Sequence, residues 1–518
     1  MHDRRSRACG PSGLTRSIVL ERVTVEAILP RMNGSRRAAR KTVAWIALSL
    51  AAGSLLACRD VGPAVGSRPN FVIFLVDDVA WDEVGFIGAS EVPTPAIDTI
   101  AREGVVLTQF YVQPACTPTR GSLLTGRYAW RTGTEMRPTV WSQHGMLTDE
   151  RTVAEVLRES GYATWIVGKW HLGGWQHAHL PLQRGFDHHY GFYGALVDSF
   201  THLRREVLDW HRNETPLLEE GYSTFLLADE ASRLILDHEG DRPFFLYVAL
   251  DAVHAPYQAP DDYVATYWKL GEKRALRLAE LACMDAAIGR VLAALEARGL
   301  EEQTLVFFSS DNGGPGDDAS AGPFRGGKGH YQEGGIRVPA ALRWPGRIPA
   351  GSSSDEMLHV TDLFPTLAAL AGAPLEGGLP LDGSNVWSTL AEGAPSPRRE
   401  IVFSRDVLRR DDWKLIEEGA SYYDWPAQPL QLYDVVHDPG EARNLASDRP
   451  EVVADLRARL AVHRDVARPS EPPSRIPGFP VVVYGERENE AHASQLRVPV
   501  RRLFDQSRRI EVPDWMRD

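Results

Sequence analysis

The stretch "FVIFLVDD", residues 71–78, runs from six apolar residues straight into two aspartates. A short apolar run of this kind reads as a strand. Similar runs follow at "ATWIVG" (163–168), "FFLYVAL" (244–250), "TLVFFSS" (304–310) and "AALRW" (340–344). Helical patterns separate them: "TPAIDTIAREG", with Thr94 as cap and Pro95 at the first helical position, then "ERTVAEVLRESG", a long segment from about 275 to 298, and "TDLFPTLAALAG" from 362. Strands alternating with helices predict an α/β domain. The Gly/Pro-rich connector "GAPLEGGLPLDG" follows it. From about 384 a smaller unit begins, with strand-and-turn segments "REIVFSR", "DDWKLIEE" and "LQLYDVVHDPGEARNLA" and a closing helix "PEVVADLRARLAVHRDV". No internal repeat is evident, and residues 471–518 lack clear periodicity.

In open α/β sheets, ligands bind beyond the carboxyl ends of the strands. Four of the five strand candidates run into polar residues there: Asp77 and Asp78, then Lys169 and His171, then Asp251 and His254, then Asp311 and Asn312. An acidic pair after one strand is ordinarily a turn or a helix cap. Four such ends on a common sheet edge describe a cleft. Asp77, Asp78, Asp311 and Asn312 offer only oxygen ligands, which suits a hard cation such as Ca²⁺ or Mg²⁺ better than zinc. Three carboxylates gathered in a partly buried cleft also need a cation to remain charged. Arg120, Lys169 and Lys328, with His171 and His254, make the surroundings a receptor for a compact, highly charged oxyanion. His188 and His189 have no third ligand in view and read as structural or pocket-wall residues.

The 518-residue chain has a formal charge of -12, which argues against general nucleic-acid or membrane-surface binding. Its N-terminus reads as a leader. From Met32, a basic start containing Arg36, Arg37, Arg40 and Lys41 precedes an uncharged run over 42–57 that is short for a membrane span. The run ends in "LLAC", residues 55–58, which resembles a bacterial lipobox. The expectation is an over-extended start, a lipoprotein-type signal over 32–57 and a linker to 66. The protein would then be exported, as a periplasmic or cell-surface lipoprotein of a bacterium touching membrane only through that anchor.

Cys9 and Cys58 belong to this leader, and Cys283 sits in a helical pattern as a buried structural thiol. Cys116 then stands alone in "CTPTRGSLLTGR", residues 116–127. Pro118 suits the first turn of a helix, which puts Cys116 at the helix's positive end, where oxyanions bind and a nucleophile's charge is stabilised. Arg120 follows one turn later. This describes a nucleophile in an oxyanion pocket, as in a cysteine phosphatase, yet a soft thiolate beside a hard cation is chemically mismatched.

The same segment resembles the Cys-x-Pro-x-Arg signature of the sulfatase family. The resemblance continues through "GKWHLGGW", "ALDAVHAPYQAP", "SSDNGG" and "FRGGKGHYQEGGIRVP", covering about 67–468. It implies an alkaline-phosphatase-like α/β fold. A large, mixed, mostly parallel sheet sandwiched by helices would occupy 67–375, and a smaller α+β domain, an antiparallel sheet plus helix, 376–470. It further implies that a formylglycine-generating enzyme oxidises Cys116 to Cα-formylglycine, whose hydrate attacks sulfur and removes the mismatch. Asp77, Asp78, Asp311 and Asn312, with position 116, would hold one calcium ion. Arg120 and Lys169 would orient the hydrate, His171 would take its proton, and His254 and Lys328 would hold the sulfate and the leaving oxygen. Within the family, "QPACTPTRGSLLTGRYAWRTG" and "LYDVVHDPGEARNLA" resemble the arylsulfatase B branch, the N-acetylgalactosamine-4-sulfatases. The implied substrate is a sulfated small molecule or glycan. Hydrolysis of phosphate or phosphonate esters, and non-catalytic binding of sulfated glycans, are the two other functions these residues fit.

Overall fold

The computed structural model describes residues 68–465 except 90, 139–143, 205–206, 241, 317 and 424–425; the expected leader and C-terminal extension lie outside the described residues. Ten strands form one sheet, in the order 352–354, 105–107, 340–343, 304–310, 70–76, 244–249, 163–169, 188–192, 211–212 and 215–216. The five from 304–310 to 188–192 run parallel to their neighbours. Antiparallel joins follow on either side. The sheet is therefore mixed and mostly parallel.

Alternation along strand Asn70–Val76 shows why its sequence is apolar throughout. Phe71, Ile73 and Leu75 enter one core, with Leu123, Leu157 and Leu367, while Val72, Phe74 and Val76 enter another, with Ile97, Leu227 and Ile288. Helices Cys116–Thr125, Val153–Glu159 and Leu363–Ala371 cover the first face. Helices Pro95–Arg102, Ser223–Asp237 and Glu272–Ala297 cover the second. With each full burial of such a side chain contributing roughly 1.5–3 kcal/mol, a strand between two helical layers has no solvent face to make polar.

Register then brings the functional strand ends level. Val76 lies opposite Ser310, Leu75 opposite Ala249, and Ala249 opposite Gly168. Gly168 is essential to this alignment: its φ is +114°, and a Cβ there would sit 2.0 Å from the Ala249 carbonyl oxygen.

Thr94 does not cap its helix. Its hydroxyl accepts from Gly85 N and donates to Asp98. Asp285, from the neighbouring long helix, accepts from Ala96 N and Ile97 N instead, and burial pushes its carboxyl up to about 6.

Strands Glu400–Ser404, Val407–Arg410, Trp413–Ile416 and Gln431–Asp434 form a small antiparallel sheet, followed by helix Pro450–Asp465. The second strand, "VLRR", lies outside the strand-and-turn segments expected from the sequence. Arg409 is buried, its guanidinium 4.7 Å over the Tyr111 ring. This sheet shares a core with Tyr111, Tyr128, Trp130 and Ile336 of the large sheet's connections.

His211 and His359 are fully buried, and burial holds both imidazoles well below their ordinary range; Arg398 adds to this at His359. A neutral histidine in the fold gains a proton only on unfolding. The unfolded state therefore binds more protons below about pH 6.5, and stability falls as pH drops through that window, by up to about 1.4 kcal/mol per pH unit per histidine. Thermal melts from pH 8 to 5 should show this slope, and His359→Gln should make it shallower.

Candidate active site

The carboxyl edge of the parallel strands gathers the polar residues that follow them. Asp77 is fully buried. Its Oδ2 accepts from Lys169 Nζ, and Arg120 Nη2 lies 3.6 Å away. Burial opposes its charge, but Lys169, His254, Arg120 and Lys328 together hold its carboxyl well below the usual carboxylate range. Asp78, next in the chain, adopts φ 63°, a left-handed conformation that turns it away from the strand path. It receives Asn312 Nδ2 at 2.7 Å and Lys328 Nζ at 2.6 Å. Asp311 accepts from Arg120 Nε at 3.1 Å and Nη2 at 2.7 Å. Burial, with Asp77 beside it, pushes the Asp311 carboxyl up to about 7.

Two buried oxygens in this group, Asp77 Oδ1 and Asn312 Oδ1, have no hydrogen-bond partner among the described residues. Ligand atoms of Asp77, Asp78 and His254 lie within 4.8 Å of one another. Orphaned buried oxygens beside clustered carboxylates fit a hard, oxygen-seeking cation. Of the expected ligands, Asp77, Asp78 and Asn312 adjoin directly. Asp311 is turned largely toward Arg120, with its Oδ1 3.4 Å from Asp78 N.

Cys116 opens helix Cys116–Thr125, after Ala115 in extended conformation. Its Sγ lies 3.2 Å from His171 Nδ1. Burial pushes the thiol up, against the pull of Lys169 and Lys328. Arg120, one turn on, is fully buried, and its Nη1 also donates to Lys169 O and Tyr247 Oη. His171 has φ 55°, and its Nε2 is buried without a hydrogen-bond partner among the described residues. Burial, then Lys169, holds its imidazole well below the ordinary range, so the ring is neutral near pH 7. His254 is lowered to about 4 by burial and Lys328. Its Nδ1 lies 2.6 Å from Ala255 O and its Nε2 3.8 Å from Asp78. All the charged and nucleophilic residues expected from the sequence thus share one edge.

The sulfatase family profile matches residues 69–373. Arylsulfatase J of Mus musculus is 33% identical over 491 residues, covering 82% of this chain and 81% of that protein. N-acetylgalactosamine-6-sulfatase of Homo sapiens is 30% identical over 461 residues, covering 78% and 87%. The chain belongs to the sulfatase family. Among solved structures, Ps i-CgsB in complex with k-i-k-neocarrahexaose superposes with a TM-score of 0.73 at 29% identity, covering 84% of this chain and 99% of that one.

This sulfatase is a sulfuric ester hydrolase, and sequence reasoning missed several residues that shape its site. Arg277, buried on the long helix, donates to Asp78 O, Val253 O and Glu83, pinning the turn that carries Asp77 and Asp78. An arginine among the alanines and leucines of "ALRLAELAC" was the only signal. His188 and His189 behave as expected: His188 pairs with Glu230, and His189 stacks on Tyr193.

Proposed function

We propose that this sulfatase cleaves sulfate monoesters of carbohydrates, using a Cα-formylglycine made from Cys116 and one calcium ion. The observation that carries the reading is the placement of residue 116. It sits at a helix N-terminus, 3.2 Å from a neutral imidazole nitrogen, in a site where Asp77 Oδ1 and Asn312 Oδ1 are buried without hydrogen-bond partners among the described residues. Asp77, Asp78, Asp311 and Asn312 would hold the calcium, which supplies Lewis-acid neutralisation of sulfate oxygens. The formylglycine hydrate supplies a hard oxygen nucleophile in place of sulfur.

The chain's own residues do the rest. Arg120, anchored on Asp311, and Lys169, anchored on Asp77, fix the orientation of side chain 116. His171 Nδ1 faces that side chain and takes a proton from it. His254 Nδ1 donates to Ala255 O, which leaves Nε2 as an acceptor, so the neutral ring has no proton to give the leaving oxygen. Lys328 keeps its ammonium, because Asp78 offsets the burial that would lower it. It therefore serves as the positive charge at the leaving oxygen.

Arg120→Lys should lower kcat by about 10²–10³, the loss seen when one preorganised donor is removed, because lysine cannot reproduce the planar fork on Asp311. Aryl-sulfate turnover checks this, with residue 116 followed by mass spectrometry so that modification and turnover are scored separately. The same mass measurement tests the whole reading: residue 116 should carry an aldehyde, and an active preparation with an intact thiol would overturn it. Galactosamine residues sulfated at the 4- and 6-positions are the first carbohydrates to compare. Export and lipid anchoring rest on the leader sequence alone.

A further inference from the structure

We propose that Arg277, on the long helix Glu272–Ala297, is a positioning residue that sets the affinity for calcium by clamping together the two turns that carry Asp78 and His254. The proposal rests on the calcium reading above and names what holds its ligand Asp78 in place. Arg277 is 1% exposed and reaches both turns through their backbone carbonyls. Nε donates to Glu83 Oε1 at 3.0 Å and Nη2 to Glu83 Oε2 at 2.6 Å, a bidentate pair. Nη2 also donates to Asp78 O at 2.9 Å, and Nη1 to Val253 O at 3.2 Å. A planar fork with donors in fixed directions can serve one carboxylate and two separate carbonyls at once, which a lysine cannot.

Two features tie the clamp to the metal. The first is the backbone of Asp78. Its φ of 63° is a conformation that residues other than glycine keep only where the surroundings over-determine it. The peptide unit that follows is held at both ends, its carbonyl by Arg277 and the Val79 N–H by Ser310 Oγ at 3.0 Å. Ala80 N then donates to Glu83 Oε2 at 2.9 Å, so the carboxylate paired with Arg277 also fixes the chain leaving Asp78. Released from these bonds, Asp78 would relax and swing its carboxylate away from Asn312 Nδ2 and Lys328 Nζ, which it meets at 2.7 and 2.6 Å. The second feature is the join between turns. Asp77 N donates to Ala252 O at 3.1 Å and Val253 N to Asp77 O at 2.8 Å. Arg277 spans the next pair of carbonyls and so fixes the spacing of Asp78 and His254, whose Oδ2 and Nε2 lie 3.8 Å apart. The group of close ligand atoms from Asp77, Asp78 and His254 straddles both turns. Removing a group that holds a metal's ligand, rather than the metal, typically weakens binding about 10–100-fold.

The test measures calcium binding to chelator-treated protein by calorimetry, and turnover of 4-nitrocatechol sulfate across calcium concentrations. Wild type is compared with Arg277→Lys, with the double variant Arg277→Met/Glu83→Gln, and with Arg398→Met. The double variant removes both buried charges together, so no unpaired ion is left to unfold the chain, and glutamine can still accept from Ala80 N. Arg398→Met strips an equally buried arginine from Asp362 and Thr361 instead. Calcium affinity should fall about 10–100-fold in the double variant and by less in Arg277→Lys, and the calcium needed for half-maximal turnover should rise by the same factors. Arg398→Met should lower the thermal midpoint yet keep calcium affinity within about twofold. Should the double variant not fold, Arg277→Lys, which keeps the charge, decides alone. A folded Arg277 variant that binds calcium as wild type does would overturn the proposal. So would equal weakening in Arg398→Met, since any destabilisation would then account for the loss. Wild type that is active yet binds no calcium would refute the cofactor reading and the positioning role with it, a failure visible before any variant is made.

Discussion

Cys116→Ala is expected to reduce turnover of an aryl sulfate by about 10⁴-fold or more, with little change in thermal midpoint. Removing a nucleophile that acts together with its proton acceptor costs far more than removing one stabilising charge, about 10⁶ where such pairs have been dissected. The residual rate would come from Lys328, Arg120 and the cation, which still bind and neutralise sulfate. Folding should be spared because the helix does not depend on the thiol. Gly126 closes its far end in a left-handed conformation, Thr119 N bonds Ala115 O, and alanine is the better helix former. Steady-state rates on 4-nitrocatechol sulfate, together with a thermal melt, check both halves. A near-normal rate in the purified variant would remove residue 116 from the chemistry altogether.

How the site could be read from the sequence follows from the geometry of parallel sheets. An apolar run ending abruptly in Asp77–Asp78, Lys169 or Asp311–Asn312 is informative because adjacent parallel strands must present those ends on one edge. The long helix and the helix in "ERTVAEVLRESG" were legible from local periodicity, and the Thr152/Glu155 capping box is the local device that starts the second. What could not be read depends on contacts distant in the chain. Nothing near Thr94 says that Asp285 will take over the capping of its helix, or that Arg409 will be buried against Tyr111. Two-residue strands such as His211–Arg212 have no periodicity to detect. Tyr422 and Tyr423, which follow the small sheet's strand Trp413–Ile416, carry no local mark that they will come within electrostatic reach of residue 116. Loops that choose a substrate are legible last for the same reason.

Lys414→Met is expected to destabilise the fold by about 3–5 kcal/mol, the cost of stripping the partner from a buried charge. Lys414 Nζ lies 2.7 Å from Glu333 Oε1 and 2.7 Å from Glu441 Oε1, and all three side chains are fully buried. Tyr111 Oη–H donates to Glu333 Oε2 at 2.6 Å, and Glu333 N donates to Glu441 Oε2 at 2.8 Å. One ammonium thus serves two carboxylates. Burial raises the Glu441 carboxyl, while Lys414, Arg409 and Arg337 overcome burial and lower that of Glu333. Without the ammonium, Glu441 must be buried as an anion or take up a proton. A carboxyl whose folded pKa is raised binds more protons folded than unfolded, so its stability contribution is lost as pH rises. The deficit of Lys414→Met should therefore be larger at pH 8 than at pH 5. Adding Glu441→Gln should restore part of it at pH 8, a coupling that urea denaturation of the four-member cycle measures. Glu333 also opens the short helix Glu333–Ile336, five residues after Lys328, which ties the small sheet to the catalytic loop. Turnover in Lys414→Met should accordingly fall at temperatures well below its unfolding transition. Equal stability deficits at pH 5 and pH 8, with full activity in the folded variant, would show that the ammonium neither balances these acids nor holds the loop.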